Sequence, residues 1–234
     1  MQSQLPETAQ GYFGSIVESY DSLIRRAVPR YDEMIARLLD YLPERAGSIL
    51  ELGCGTGNLS LMLARKFPDA RFTFVDGSAE MLGVTRSRLD RGGSSLLHDP
   101  VFLESRFEEL ELRDGAFDLI VSSISLHHVV DKAALYRLAR AALGDGGRLC
   151  FADQLRGEPE ANHDVNWERW LEFCRAPGNC TPEEIQSLLD HAAAHDHYTK
   201  LADHEQLLSR AGFTAIDCVW RNWMWGIVTA SSGR

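Results

Sequence analysis

The sequence lacks the features that mark several special classes of protein. No apolar run approaches the ~18 residues of a membrane span, and there is no internal repeat or low-complexity tract. The five cysteines include no C-x-x-C pair, and an odd number favours reduced thiols over a disulfide framework or a zinc site. We therefore expect an ordinary globular protein that needs no disulfide or structural metal for stability and has no membrane partner.

Positive charge is also scarce. The 234 residues carry 24 Lys plus Arg against 34 Asp plus Glu, a net charge of −10, which would repel nucleic acid at long range. The first residues, MQSQLPET, have neither the positive region nor the apolar region of a secretion signal. We expect a cytoplasmic protein, a monomer or a homodimer, that does not bind nucleic acid.

Short apolar runs alternate with amphipathic helical patterns along most of the chain. The runs are Ser48 to Leu52, Phe72 to Val75, Val101 to Leu103, Phe117 to Val121 and Arg148 to Ala152. The helical patterns are Tyr31 to Tyr41, Gly57 to Phe67, Ser78 to Leu89 and Lys132 to Leu143, the last ending at Gly144. This alternation predicts an α/β fold, a doubly wound, Rossmann-like sheet that is mostly parallel, with a ligand crevice at the carboxyl ends of its strands.

The last third of the chain departs from this alternation. Helical patterns follow around Asn162 to Cys174, Thr181 to Ala194 and Leu201 to Arg210. Two predicted strands, Thr214 to Trp220 and Trp223 to Ala230, are joined by a short turn at Arg221 and Asn222. We predict an N-terminal helical arm or lid over residues 1–30 and a ligand-binding domain over residues 31–234, with a helical insertion at about 155–200. The sheet then has seven strands, of which the last is antiparallel.

The strongest local signal is a strand that passes into three alternate glycines and then a helix, ILELGCGTGNL from Ile49 to Leu59. Glycine lets the backbone approach a ligand closely, and the helix behind it offers free N–H groups. Asn58 stands where the third glycine of a dinucleotide-binding G-x-G-x-x-G would be, and the Lys of a phosphate-binding Walker loop is absent. Asp76 ends the next strand 19 residues after Gly57, the distance at which a carboxylate binds both ribose hydroxyls.

These residues resemble the E-x-G-x-G-x-G loop and second-strand acid of the class I S-adenosylmethionine-dependent methyltransferases. The resemblance extends from about Tyr31 to Ala230 and implies that S-adenosylmethionine is the cofactor and S-adenosylhomocysteine the product. It implies that Glu51 holds the ammonium group of the cofactor and that Asp76 binds its ribose. The other residues that it implies at the cofactor are Tyr31, Gly53, Cys54, Gly55, Gly77, Ser78, Met81, Arg106, Phe107 and Ser123.

The sequence is also similar to the carboxy-S-adenosylmethionine synthases of tRNA modification and their small-molecule methyltransferase relatives. AVPRY at residues 27–31 and SRAGF at residues 209–213 resemble two of their motifs. These synthases hold the extra carboxylate with an arginine, and Leu189 stands at the matching position here. Ordinary methyl transfer is therefore favoured over synthesis of the carboxylated cofactor.

Two adjacent histidines follow the fourth strand, near the place where the transferable methyl group would lie. An imidazole has the pKa that proton removal near neutrality requires, so His127, and after it His128, is the predicted base. The alternative is that both only pack or cap the start of a helix. A second group, His191, His195 and His197, includes an i, i+4 pair but has no third ligand from elsewhere. We predict a solvated helix end there, and no metal.

Aromatic residues concentrate in the arm, the insertion and the tail. Those predicted to wall an acceptor pocket are Tyr12, Tyr20, Trp167, Trp170 and Trp223. The alternative is that Trp167, Trp170 and Phe173, which share one face of the predicted insertion helix, are core packing. The sequence thus predicts transfer of a methyl group to the nitrogen or oxygen of a small molecule. Its alternatives are the carboxylated-cofactor synthase, a non-enzymatic cofactor-binding partner protein and a nicotinamide-dependent dehydrogenase.

Overall fold

A computed structural model describes residues 8–91, 97 and 99–233. Its strands are β1 (Ser48–Leu52), β2 (Arg71–Asp76), β3 (Val101–Glu104), β4 (Phe117–Ser123), β5 (Leu143–Arg156), β6 (Thr199–Lys200), β7 (Thr214–Asn222) and β8 (Trp225–Ser231). Seven of them form one sheet in the order β3-β2-β1-β4-β5-β8-β7, and β6 pairs with the end of β5. Strands β1 to β5 pair in parallel, while β8 is antiparallel to both β5 and β7. The predicted mostly parallel sheet with an antiparallel last strand is confirmed.

The helices divide between the two faces of this sheet. They are α1 (Ala9–Ile16), α2 (Tyr20–Ala27), α3 (Tyr31–Asp40), α4 (Asn58–Lys66), α5 (Ala79–Arg91), α6 (Lys132–Ala142), α7 (Glu160–Arg175), α8 (Pro182–His195) and α9 (Leu201–Arg210). Residues of α3, α4 and α5 form one core cluster with Ile49, and residues of α6 and α9 form the other with Leu50. Neighbouring residues of β1 thus face opposite cores, as the alternation of side chains along a strand requires.

The arm and the insertion meet above the carboxyl ends of the strands. The indole Nε1 of Trp170 in α7 donates to the carbonyl of Ala27 at the end of α2, at 2.9 Å. Arg26 of α2 forms a two-pronged ion pair with Glu184, whose side chain also completes the capping box at the start of α8. These contacts tie the described part of the arm to the insertion; residues 1–7 of the arm lie outside the described residues.

Two boundaries differ from the prediction. Arg221 and Asn222 pair with Gly226 and Trp225 as the end of β7, so the turn falls at the next two residues, and Trp223 adopts a φ of 53° there. The prediction was wrong because Asn is a common turn residue, but here the ladder continues through it. Gly144 does not end α6, since β5 already begins at Leu143. Within the described residues, no helix is long and apolar enough to cross a membrane.

Candidate active site

The glycine loop joins β1 to α4 and is fixed by its backbone. The N–H groups of Gly53 and Cys54 both donate to the carbonyl of Val75 in β2, at 2.8 and 3.0 Å. Gly53 has a φ of 71°, and a Cβ there would lie 2.0 Å from the hydroxyl of Ser125. A Cβ on Gly55 would meet nothing within 4 Å, so the loop is tight on one side and open on the side that faces the crevice.

Asp76 ends β2 beside this loop. One carboxylate oxygen accepts the N–H of Gly55 at 2.8 Å, and the other accepts the N–H of Ser78 at 3.0 Å. Burial raises the pKa of Asp76, and the backbone N–H donors oppose that rise. The carboxylate therefore orients the loop, and each oxygen keeps a lone pair for a further donor.

Glu51 is the most deeply buried acid at the crevice. It is 1% exposed, and its Oε2 has no hydrogen-bond partner among the described residues. Burial raises the pKa of Glu51 to about 8. A buried carboxylate oxygen without a partner is costly, so Oε2 is placed to receive a donor or a cation from a ligand.

A cavity of about 340 Å³ lies in front of these groups, within the size range of small-molecule sites. The sequence-predicted residues that line it are Tyr20, Tyr31, Glu51, Gly53, Cys54, Gly55, Asp76, Gly77, Met81, Arg106, Phe107, Ser123 and His128. Ser78 is buried beside the cavity, where its hydroxyl binds Glu80 at the start of α5. Arg106 is 54% exposed at its side chain and faces Glu108 at 3.7 Å.

A second, smaller cavity of about 80 Å³ adjoins the first and shares Phe13, Tyr20, Ile124 and His128 with it. The predicted pocket residues Tyr12 and Trp170 line this second cavity, as do Trp225 and Tyr198, which were not among the predicted pocket residues. Trp167 and Trp223 line neither of the two cavities described. Trp225 lines the second cavity instead of Trp223 because β8 begins at Trp225. The register of the last hairpin thus determines which indole faces inward.

The two predicted bases occupy different environments. His127 is 5% exposed and lies between Asp153, whose Oδ1 is 2.5 Å from its Nδ1, and Asp196, whose Oδ1 is 3.7 Å from its Nε2. Burial opposes the imidazolium form, but the two carboxylates outweigh it and raise the pKa of His127. Burial, with the charge of His127, lowers the pKa of His128, which lines both cavities.

Of the three histidines around the end of α8, His191 is not solvated, whereas His195 is half-buried and His197 is exposed. His191 is 6% exposed and stacks on Tyr12 of α1 with ring centroids 4.2 Å apart. Burial lowers the pKa of His191 to about 3. His195 and His197 line the first cavity. The prediction was wrong for His191 because the arm covers this face of α8, a contact that a helical period does not encode.

Asp21 of α2 connects the arm to the glycine loop. Its Oδ1 accepts hydrogen bonds from the hydroxyl of Thr56 at 2.5 Å and the amide of Asn58 at 2.9 Å. Its Oδ2 lies 2.7 Å from Arg88, which in turn donates to the carbonyl of Thr56. The sequence gives no local signal for this contact, since Asp21 belongs to no motif.

We expect Asp21→Asn to weaken cofactor affinity about fivefold, because a partly buried charged hydrogen-bond network contributes on the order of 1 kcal/mol. The loss of the Arg88 ion pair also releases the arm, so backbone amides of α2 should exchange with deuterium faster. Asp32→Asn is the matched control, since Asp32 is an exposed acid on the neighbouring helix that forms an ion pair with Arg25. Unchanged affinity and exchange in Asp21→Asn would contradict this role.

Known proteins share both the sequence pattern and the fold. A family model of a methyltransferase domain matches residues 49–147. A malonyl-[acyl-carrier protein] O-methyltransferase from Magnetococcus marinus is 39% identical over 122 residues, 52% of this chain and 43% of that protein. A carboxy-S-adenosyl-L-methionine synthase from Chromohalobacter salexigens is 26% identical over 207 residues, 86% of this chain and 75% of that protein. The chain thus spans less than half the length of the first relative.

The fold is also found among solved structures. Phosphoethanolamine N-methyltransferase 2 of Haemonchus contortus, solved in complex with S-adenosyl-L-methionine, superposes with a TM-score of 0.70 and 15% identity, over 97% of this chain and 59% of that one. The glycine loop, the strand order and these matches support a methyltransferase domain of the class I S-adenosylmethionine-dependent type. They also support S-adenosylmethionine as the cofactor.

Proposed function

We propose that the enzyme methylates a small molecule that occupies the second cavity while the cofactor fills the first. The observation that carries this proposal is the pair of adjoining cavities, one lined by the glycine loop and two buried acids, the other mainly by aromatic and aliphatic side chains. The cavity walls come from the arm, the insertion and β8, elements that enclose a compact ligand. A nucleic-acid acceptor would instead require an open, positively charged surface.

The residues of the first cavity fit the cofactor. The unpaired Oε2 of Glu51 suits an ammonium group, and the free lone pairs of Asp76 suit two ribose hydroxyls. The open space beside Gly55 leaves room for the ligand. Met81, Arg106 and Phe107 would border the adenine, and Gly53, Cys54 and Ser123 the methionine portion.

The sulfonium of the bound cofactor supplies a methyl group that is already activated for direct attack, so the protein has to align the acceptor and exclude water. Phe13 and Tyr20, which line both cavities, would close the site against solvent. The indole N–H of Trp225 is buried and has no partner among the described residues, so it would donate to a polar atom of the acceptor. Activation of the acceptor is assigned to the group formed by His127, His128 and Asp196, which face the second cavity.

The same lining favours methyl transfer over formation of a carboxylated cofactor. Of the described residues that line the first cavity, Arg106 is the one guanidinium, and it is half-exposed beside Glu108. An additional carboxylate on the ligand would need a cation held inside the cavity. The predicted alternative, the synthase, therefore has no counter-charge of the required kind in this part of the chain.

The test is transfer of labelled methyl groups from S-adenosylmethionine to a panel of aromatic and heteroaromatic amines and alcohols, with bulk tRNA and protein as competing acceptors. We expect label in the small molecules. Ala192→Leu, which fills the second cavity, should reduce turnover without changing cofactor affinity, whereas Ala193→Leu on the exposed face of α8 should change neither. Label that accumulates only in tRNA or protein would contradict the proposal.

A further inference from the structure

Three imidazole nitrogens converge on a single carboxylate oxygen between the two cavities. The Oδ1 atom of Asp196 lies 3.1 Å from Nδ1 of His128 and 3.7 Å from Nε2 of both His127 and His191. The side chains are buried, with 5% of Asp196 and 7% of His191 exposed. Nevertheless, Oδ1 of Asp196 and both ring nitrogens of His128 and of His191 have no hydrogen bond of acceptable geometry within the described chain.

A ligand that binds these buried, unpaired atoms would stabilise the cluster. Each unpaired buried polar group costs about 1–3 kcal/mol, and five such atoms lie in this one cluster. In a tetrahedral zinc site with bonds of about 2.0–2.1 Å, neighbouring ligand atoms lie about 3.4 Å apart. The separations of 3.1 to 3.7 Å around Asp196 Oδ1 bracket that value. One ligand atom from each of His127, His128 and Asp196 lies within 4.8 Å of the other two.

The surrounding residues fix these groups in the orientation that a metal requires. Asp153 binds Nδ1 of His127 at 2.5 Å and accepts the backbone N–H of His127 at 2.9 Å, which leaves Nε2 directed at Asp196. A carboxylate on the far nitrogen is the usual support of a metal-binding histidine. The other oxygen of Asp196 accepts the hydroxyl of Tyr198 at 2.6 Å, so that Oδ1 remains available.

The local charges favour a divalent cation. Asp153 and Asp196 supply two buried negative charges. The nearby cation Lys132 donates to the carbonyls of Val129 and His197, and Asp153 and Asp196 act on its charge without a direct ion pair among the described residues. A divalent ion with a neutral His127 would balance the two carboxylates.

We propose that His127, His128 and Asp196 bind a divalent transition metal, with Zn²⁺ as the ion that suits this donor set. Imidazole and carboxylate donors in a tetrahedral arrangement are typical of zinc, whereas magnesium and calcium prefer oxygen alone. No metal was expected from the sequence, because Asp196 is distant in sequence from His127. Any role in polarising the acceptor atom rests on the proposed function, but metal binding itself does not.

The test is metal binding by tag-free protein that has been stripped with a chelator. Co²⁺ should add one equivalent, with the intense visible absorption of a four-coordinate site, and Zn²⁺ should displace it. Asp196→Asn and, as a second ligand variant, His128→Gln should each weaken Zn²⁺ affinity about 100-fold or more, and Asp153→Asn about tenfold. Thermal melting of the metal-free variants separates loss of a ligand from loss of the fold.

His195→Ala is the matched control, since His195 lies one turn from His191 and outside the group of three. It should bind Zn²⁺ as the wild type does. Absence of Co²⁺ and Zn²⁺ binding in the wild type, or full binding by a folded Asp196→Asn, would overturn the proposal, as would a loss confined to His195→Ala. Titration of the stripped protein with S-adenosylmethionine keeps the two proposals apart, because the cofactor cavity should bind without metal.

Discussion

Replacement of Asp76 by alanine should weaken S-adenosylmethionine binding at least about 100-fold. The carboxylate would accept two ribose hydroxyls, and hydrogen bonds to a charged acceptor contribute about 1.5–3 kcal/mol each. It also holds the N–H of Gly55 at 2.8 Å, so its removal loosens the loop that lines the methionine portion. Isothermal titration calorimetry of both proteins measures the effect.

Two controls make this result specific to the site. Asp145→Ala removes an exposed acid near the start of β5, at the opposite end of the sheet from the crevice, and should leave the affinity unchanged. Asp76→Asn keeps one acceptor oxygen but loses the charge, so it should show an intermediate loss of about tenfold. If a folded Asp76→Ala variant binds as tightly as the wild type, the ribose assignment is wrong.

The second large effect is a dependence of cofactor binding on the protonation of Glu51. Burial raises the pKa of Glu51 to about 8, so the free protein carries this carboxyl group mostly protonated at pH 7. An ammonium group bound beside it stabilises the carboxylate and drives the proton off. At pH 7 each binding event should therefore release about 0.9 proton, and affinity should rise about tenfold between pH 6 and pH 7.

Calorimetry in two buffers of different ionisation enthalpy measures the released proton. Glu51→Gln should bind more weakly at pH 7, release no proton at this site and lose most of the pH dependence. Asp76 and Cys54 face the same carboxyl group, and both remain in the variant, so it isolates Glu51. A pH dependence that is the same in wild type and Glu51→Gln would exclude an ionising role for this residue.

The raised pKa of Glu51 also predicts how the stability of the fold changes with pH. The sign of this pH dependence is opposite to that of an ordinary surface acid. The folded state keeps a proton on Glu51 up to about pH 8, whereas the unfolded chain releases it near pH 4.5. The folded state therefore binds more protons between these values, and its stability falls as pH rises through that window. Glu51→Gln should remove this part of the slope, which melting temperatures at pH 5 and pH 8 would reveal.

The sequence was sufficient for the fold because its patterns are local. Apolar runs separated by amphipathic helices define a parallel sheet, and β1 begins and ends at the predicted residues Ser48 and Leu52. The glycine loop and Asp76 could likewise be identified from the sequence, because the spacing between them indicates what kind of ligand they bind. The turn before Trp225 was misplaced because a hairpin register depends on pairing across strands, which turn propensity does not determine.

The second cavity could not be predicted in the same way. Its walls come from the arm, the insertion and the last strand, which meet only in the folded chain. A site role for Asp153 could have been predicted from the sequence, because Asp153 directly follows an apolar run, as Asp76 does. A role for Asp196 could not have been predicted, since a single acid after a helix is commonplace. Only the packing of α8 brings Asp196 close to His127 and His128.

The most direct test of the account is a calorimetric titration of the wild-type protein with S-adenosylmethionine and, separately, with NADH. The glycine spacing, the unpaired Oε2 of Glu51 and the position of Asp76 predict one S-adenosylmethionine site per chain and no heat from NADH. Binding of NADH with no binding of S-adenosylmethionine would contradict the account at its centre.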